Sequence, residues 1–593
     1  MSASTRPSAA DRSSPDARLH ALDAAAVLRP RVAYFSMEVA LEAGLPTYSG
    51  GLGVLAGDVL RSAADLELPV IGFSLVHRSG YFVQRLDAAG NQEELPEAWD
   101  PRTRLASLDA TATVAIEGRQ VRFRAWRYDI VGMSGAVVPV YLLDTALDEN
   151  DPVDRILTDE LYGGDDRYRL AQEAILGFGG YALLEAMGLA EHITTFHMNE
   201  GHAALLVAAA LEARLAARAD ASVASDDLAA VRRRFVFTTH TPVPAGHDRF
   251  NLGLVRAVIG ESRTRLVEAL GATRDGAMHM TYLALRNSRF VNAVGMRHGE
   301  VSRGLFPGDP IHAISNGVHA VRWTAPAFAT VFDRYVPSWR RDNGYLRHAV
   351  GIPLDDVAAA HRAAKDDLAV AVRRRTGVVL DPARFTIGFA RRAATYKRGY
   401  LAFWDAERLR AIAERIGPLQ FVFAGKAHPR DADGKAIIRQ IFQAASALGD
   451  RVSFLYLENH EMALAQRLCA GVDLWLNTPQ PPFEASGTSG MKAALNGVPS
   501  LSTLDGWWIE GCVEGRTGWA IGDGSDAGPQ ADADMLYDKL EQAIVPLFYD
   551  DPEEYARTMR SVIALNGSYF NTQRVVEQYA RIAYFADRSE ARL

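Results

Sequence analysis

The sequence predicts an α/β protein whose mostly parallel sheets are divided between two domains. Three observations carry that prediction. Short, continuous apolar runs alternate with longer helical patterns from about residue 30 to residue 500. Strands apolar on both faces belong to parallel sheets covered on both sides, and their alternation with helices defines an α/β architecture. A chain of 593 residues has room for about two to four domains. Finally, composition shifts over 324–384, where proline-containing loops give way to one helix, DDVAAAHRAAKDDLAVAVRRR, that ends near Gly377, and FTIGFA then opens a new series of strands.

In chain order the strand candidates are RVAYFSM (31–37), HITTFHM (from residue 192), RFVFTT (234–239), FTIGFA (385–390), FVFAG (421–425), VSFLY (452–456) and VDLWL (472–476). Residues 111–143 alternate apolar with polar side chains, which predicts antiparallel strands with one wet face. No repeat of 20–50 residues is present. The last helical stretches, 553–590, have no strand after them, so a terminal helix is expected to pack back on the first domain. The partition that follows is a disordered tail over 1–24, rich in Ser, Pro, Ala and Arg, then domains over 25–318 and 319–593.

Composition narrows the function. With 64 Lys+Arg against 72 Asp+Glu the net charge is −8, which argues against a general nucleic-acid or anionic-membrane binder but leaves room for a small basic pocket. Two cysteines, Cys469 and Cys512, exclude a disulfide scaffold and a Cys-rich zinc fold and fit a reducing compartment, so a cytoplasmic protein is expected. No run of about 18 apolar residues exists to span a membrane. The first twenty residues lack the apolar middle of a secretory signal. A transit peptide is the weaker alternative, because Asp11 and Asp16 are acidic.

Ligands of open parallel sheets bind beyond the carboxyl ends of strands, and four such ends carry unusual residues. TYSGGLGVLAGD (47–58) has Gly50, Gly51 and Gly53 ahead of a helix, an arrangement open either to a tight turn or to an anion. FARRAATYKRG (389–399) places Arg391, Arg392, Lys397 and Arg398 directly after a buried strand; such a run is either a solvated helix face or an anion pocket. NTPQPPFEASGTSGMKAALNG (477–497) is a proline-rich loop entering a helix. There Ser486, Gly487, Thr488, Ser489 and Gly490 present hydroxyls and bare N–H groups, and Lys492 lies one turn inside as a point charge or an amine able to condense with an aldehyde. The histidines of FHMNEGHAAL (196–205) and FTTHTPVPAGH (237–247), namely His197, His202, His240 and His247, match no metal-ligand spacing. They are read as hydrogen-bonded structural residues, and no metal is expected.

EASGTSGMKAALNG with Lys492 resembles the pyridoxal-phosphate attachment segment of the glycogen/starch (α-glucan) phosphorylases. SGGLGVLAGD, LYGGDDRYRLAQE (161–173), TTHTPVPAGH, SNGVHAVRW (315–323) and RRAATYKR fit the same family in the same order, over about residues 30 to 510. The chain is similar to the compact bacterial or archaeal branch. The resemblance implies a GT-B type fold, two Rossmann-like domains facing across a cleft. It also implies phosphorolysis of the non-reducing terminal glucose of an α-1,4-glucan by inorganic phosphate, giving α-glucose 1-phosphate with retention. The 5′-phosphate of pyridoxal 5′-phosphate would act as acid and base, and the enzyme would be a homodimer.

Residue by residue, the resemblance makes Lys492 the Schiff-base lysine. Thr488, Ser489 and Gly490 would bind the cofactor phosphate, with Arg391 and Lys397 beside it. Arg392, Lys397 and the Gly50–Gly51 backbone would hold the substrate phosphate. His240 and Asn316 would meet the glucose 6-hydroxyl, and Tyr396, Glu484, Ser486 and Gly487 the ring hydroxyls. Two departures stand out: Ala40, where long members place a tyrosine on the cofactor, and Glu461, where they place an arginine near its phosphate. The nearest rival is a nucleotide-sugar glucosyltransferase of the glycogen-synthase type, which carries a second Glu eight residues after the first; here Glu484 plus eight is Lys492, and an ammonium cannot accept a ribose hydrogen bond. A second rival is an inactive glucan-binding protein, with Trp507 and Trp508 as sugar-stacking or packing residues.

Overall fold

The computed structural model describes residues 29–218, 222–243 and 246–585. The expected tail, 1–24, and the end of the 553–590 stretch lie outside the described residues.

The apolar runs become strands of two sheets, all of them inner strands except VSFLY, which lies at an edge. The first has nine strands: β1 (Val32–Ser36), β2 (Val70–Leu75), β3 (Ala106–Ile116), β4 (Arg119–Val131), β5 (Val137–Asp144), β6 (Thr195–Asn199), β7 (Phe235–Thr238), β8 (Phe290–Ala293) and β9 (His312–Ala313). They lie in the order β9-β8-β7-β6-β1-β2-β5-β4-β3. Neighbours from β9 to β5 pair parallel, and β4 pairs antiparallel with β5 and β3. The antiparallel stretch is therefore present, but its expected wet face holds only for β3 and β4. β5 is buried at every residue, because it joins β4 to the parallel part of the sheet and is covered on both sides. The HITTFHM strand begins at Thr195, three residues later than the apolar pattern suggests.

The second sheet has β10 (Phe385–Ala390), β11 (Leu419–Ala424), β12 (Val452–Leu457), β13 (Leu474–Asn477), β14 (Ser500–Thr503) and β15 (Gly518–Ile521), in the order β12-β11-β10-β13-β14-β15. All pairs are parallel. This is the doubly wound order 3-2-1-4-5-6, whose crevice opens at the switch point between the first and fourth strands, here β10 and β13.

Six helices matter for the site: α1 (Gly51–Asp65), α2 (Asp166–Ala174), α3 (Leu354–Thr376), α4 (Met462–Gly471), α5 (Thr488–Ala494) and α6 (Thr572–Gln578). α3 is the helix expected between the two strand series. Asp355 and Asp356 open it, Arg373, Arg374 and Arg375 close it, and charges of those signs suit the helix dipole. Gly377 ends it in the left-handed region at φ 75°, where glycine carries no steric penalty.

Aromatic rings fill both cores. Phe35 stacks on Phe73 at 4.5 Å under the first sheet, and Phe389 on Phe423 at 4.8 Å under the second. After the second sheet the chain returns to the first. Ser62 of α1 bonds Thr572 of α6 at 2.7 Å. Tyr584 donates to His197 Nδ1 at 2.7 Å, whose Nε2–H donates to Thr238 at 2.8 Å, and Tyr579 meets Thr238 and Asn292 at 3.1 and 3.2 Å. Burial pushes His197 down to about 3, so this imidazole is a neutral structural bridge.

Candidate active site

The carboxyl ends of the two sheets face each other across a cavity of about 570 Å³. From the second sheet, β10 delivers Arg391 and Arg392, a short helical turn carries Tyr396 and Lys397, and the loop after β13 carries Glu484 to Gly487 before α5 opens at Thr488. From the first, β1 leads to Glu38 and then to the Gly50–Gly51 turn into α1, β6 to Glu200 and His202, and β7 to His240. The segment after β9 adds Asn316. Every expected site residue lines this cavity except Gly490. Gly490 faces Trp507 instead: a Cβ there would come within 2.6 Å of the indole, so its small size serves packing. Arg398, counted with the basic run, also turns away. Its guanidinium donates to Thr478 O and Pro479 O and pairs with Asp532 at 2.7 Å, because its backbone is left-handed at φ 46°.

The charges on the second-sheet side are arranged around Glu484. Its Oε2 accepts from Arg391 Nη2 at 2.5 Å and from Lys397 Nζ. Burial alone would raise this carboxyl, but the two cations overcome it and hold it at about 2. Its own N–H donates to Asp505 at 2.8 Å. Lys397 Nζ also lies 4.5 Å from the centre of the Tyr396 ring. Arg392 reaches the cavity with no ion pair among the described residues; its side chain bonds Tyr396. Arg391 Nη1 and Ser486 Oγ are buried without a partner. Lys492 is buried and unpaired among the described carboxylates, 4.0 Å from the centre of the Trp323 ring, and burial pushes its amine below the usual lysine value.

Across the cavity, Glu38 accepts the N–H groups of Ser49 at 2.6 Å and Gly50 at 3.2 Å, and the Tyr162 hydroxyl at 3.0 Å. Gly53 must be glycine because a Cβ would lie 2.7 Å from that carboxylate. The next amides of α1 are left without a side-chain cap, which leaves donors for an anion. His240 Nε2–H donates to Asn199 Oδ1 at 2.7 Å, and its backbone N–H to Glu200 at 2.8 Å. Burial, then neighbouring histidines, lower the imidazole to about 3, so it is neutral with Nδ1 free to accept a hydroxyl.

The two departures have local explanations. Ala40 is fully buried in the core beside α1, where Gly57 lets the chains touch: a Cβ at 57 would lie 2.0 Å from Ala40 O. Glu461 lines the cavity but spends its carboxylate as the N-cap of α4, accepting from Ala463 and Leu464, and pairs with Arg375 at 3.3 Å. Trp507 and Trp508 are buried, so packing explains them.

Sequence reasoning missed Glu38, His460 and the role of Trp323. Glu38 was reachable by the strand-end rule, since it follows β1 directly. Glu173, His202 and Asp248 also lie close enough together to ligate a metal, but Arg169 already supplies the cation, at 3.1 Å from Glu173 and 2.8 Å from Asp248. Burial, then the Asp248 charge, raise the Glu173 carboxyl well above its usual value.

The family model for carbohydrate phosphorylases matches residues 250–514. A maltodextrin phosphorylase of Thermococcus litoralis is 37% identical over 92% of this chain and 70% of its own length. The chain belongs to the carbohydrate phosphorylases. Other members of the family are similarly close: a glycogen phosphorylase of Mycobacterium tuberculosis is 38% identical over 95% of this chain and 71% of that protein, and one of Aquifex aeolicus is 33% identical over 93% and 86%. Membership accords with the two mostly parallel sheets and the crevice between them. No described helix is long and apolar enough to cross a membrane.

Proposed function

We propose that this phosphorylase cleaves α-1,4-glucans: inorganic phosphate removes the non-reducing terminal glucose and α-D-glucose 1-phosphate leaves with retained configuration. The enzyme works in the cytoplasm as a homodimer, with 25–318 and 319–593 as its two domains. The observation that carries this reading is Lys492, a buried, unpaired amine in the same cavity as Arg391, Arg392 and Lys397.

The residues fit pyridoxal 5′-phosphate. The unpartnered Arg391 Nη1 is a donor awaiting an acceptor, and Lys492 is an amine suited to an aldehyde. Lys492 would attach the cofactor, and Thr488, Ser489, Arg391 and Lys397 would hold its phosphate. When bound, that phosphate, with a second pKa near 6, supplies a group able to take and return a proton at neutral pH. Arg392, Lys397 and the Gly51 amide bind inorganic phosphate and screen the repulsion between two close anions. Glu484, relieved of its cations when phosphate takes them, accepts ring hydroxyls together with Tyr396, Ser486 and Gly487. Neutral His240 accepts the 6-hydroxyl at Nδ1 beside Asn316, and its carbonyl faces the anomeric carbon as positive charge grows there.

Borohydride reduction followed by peptide mapping tests the reading. A pyridoxyl group is expected on Lys492, with glucose 1-phosphate formed from glucan and phosphate alone and lost in Lys492→Ala and Lys397→Ala. Glucose transfer from a nucleotide sugar by cofactor-free protein would favour the synthase reading instead.

A further inference from the structure

The Lys492 amine lacks a carboxylate against it but is not loosely held. Its ammonium sits 4.0 Å from the centre of the Trp323 ring, within the range of an attractive cation–π contact. The ring is clamped in turn. Its indole N–H donates to Asp58 Oδ2 at 2.7 Å, and the same oxygen accepts the His319 N–H at 3.1 Å. Asp58 Oδ1 accepts from Arg322 Nη1 at 3.2 Å. The backbones are joined as well: Asn496 Nδ2 donates to Trp323 O at 2.9 Å and to Lys492 O at 3.0 Å, while its Oδ1 accepts the Ala325 N–H at 2.7 Å. Ring and amine thus belong to one closed set of contacts, and the buried carboxylate that fixes the ring comes from α1 of the first sheet.

We propose that Asp58 is a positioning residue for Lys492: it grips the edge of the Trp323 ring so that the ring face holds the lysine amine in place, and it thereby sets the pH at which that amine becomes a free nucleophile. The proposal deepens the reading of Lys492 as the attachment residue and rests on it.

Four charged or titratable groups face this amine: Asp58, Arg322, Cys469 and His460. Burial holds the Cys469 thiol up near 12 and His460 down near 3, so both are neutral at pH 7. Arg322 repels the ammonium. Asp58 and the ring face favour it, against burial, which disfavours any charge. Removing either favourable partner therefore lowers the pH at which the proton leaves.

The test uses the full chain freed of cofactor and pyridoxal without its phosphate, so that the phosphate cradle contributes nothing. The unprotonated amine adds to the aldehyde, water leaves, and borohydride supplies the hydride that fixes the bond; the pyridoxyl fraction on the Lys492 peptide is read by mass spectrometry from pH 5 to 10. Asp58→Asn keeps an acceptor for the indole N–H but loses the charge, and its midpoint is expected to fall by about one pH unit. Trp323→Phe keeps a ring face but loses the clamped edge, and is expected to fall by about half a unit; it serves if Asp58→Asn does not fold. Midpoints equal to that of the unmodified protein in the folded variants would overturn the positioning role alone. Label on other lysines with none on Lys492 in the unmodified protein would overturn the attachment reading as well.

Discussion

Replacing Glu484 with Gln changes one charge at the centre of the basic cluster. In the unliganded chain this carboxylate pairs with both Arg391 and Lys397, so an incoming phosphate meets cations already in use and a negative charge beside them. A phosphate oxygen on the far side of the Lys397 ammonium would lie about 5 Å from Glu484 Oε2. At an effective dielectric constant of about 20, two unit charges that far apart repel by roughly 3 kcal/mol. Solvent in the cleft reduces that figure, so Glu484→Gln is expected to tighten inorganic phosphate on the cofactor-free chain by between about tenfold and a hundredfold, at 1.4 kcal/mol per decade. Titration calorimetry at fixed ionic strength measures it directly. Glucan turnover should fall in the same variant, because the ring hydroxyls exchange a charged acceptor with two oxygens for a neutral amide with one. Phosphate that binds the variant no more tightly than the original would refute the idea that Glu484 competes with the anion.

Two other expectations follow from the same geometry. Arg392→Ala removes a cation that holds no carboxylate, so phosphate affinity should fall about tenfold or more while the thermal unfolding temperature hardly moves; a large loss of stability with unchanged phosphate binding would contradict its place in the site. Acid should destabilise the fold early. Burial lowers His197, His240 and His460 to about 3, whereas the unfolded chain titrates them near 6.5. The unfolded state therefore binds more protons in between, and stability present above pH 6.5 is lost as pH falls toward 3, by up to about 1.4 kcal/mol per histidine and pH unit. Chemical denaturation at pH 7.5, 6 and 5 should show a steadily earlier transition, and a flat series would mean these imidazoles are charged when folded.

Many strands were legible because parallel strands buried on both faces leave continuous apolar runs; FTIGFA became β10 residue for residue, whereas β2, β8, β9, β14 and β15 were not picked out. The strand-end rule then led to Arg391, Arg392, Lys397 and the loop before α5, all of which line the cavity. What escaped depends on side-chain direction. Nothing local distinguishes Arg398 from Arg392, yet a left-handed backbone points one at Asp532 while the other lines the cavity. Glu461 reads as an unwelcome charge until its capping of α4 is seen. Gly490 shares its motif with true lining residues, and only the distant Trp507 reveals its packing duty. The partnership of Asp58 with Trp323 spans 265 positions and leaves no periodic trace.

The closing run of the described chain has a bearing on biosynthesis. Tyr579 and Tyr584 satisfy His197, Thr238 and Asn292 from beneath the first sheet, and until these phenols arrive those groups must bond to water. On a ribosome adding about 5–20 residues per second, the interval between finishing β9 and delivering these phenols is on the order of tens of seconds. Throughout it the earliest-made half carries open polar seams and an uncovered flank, a window in which it is exposed to chaperones and to association with other nascent chains.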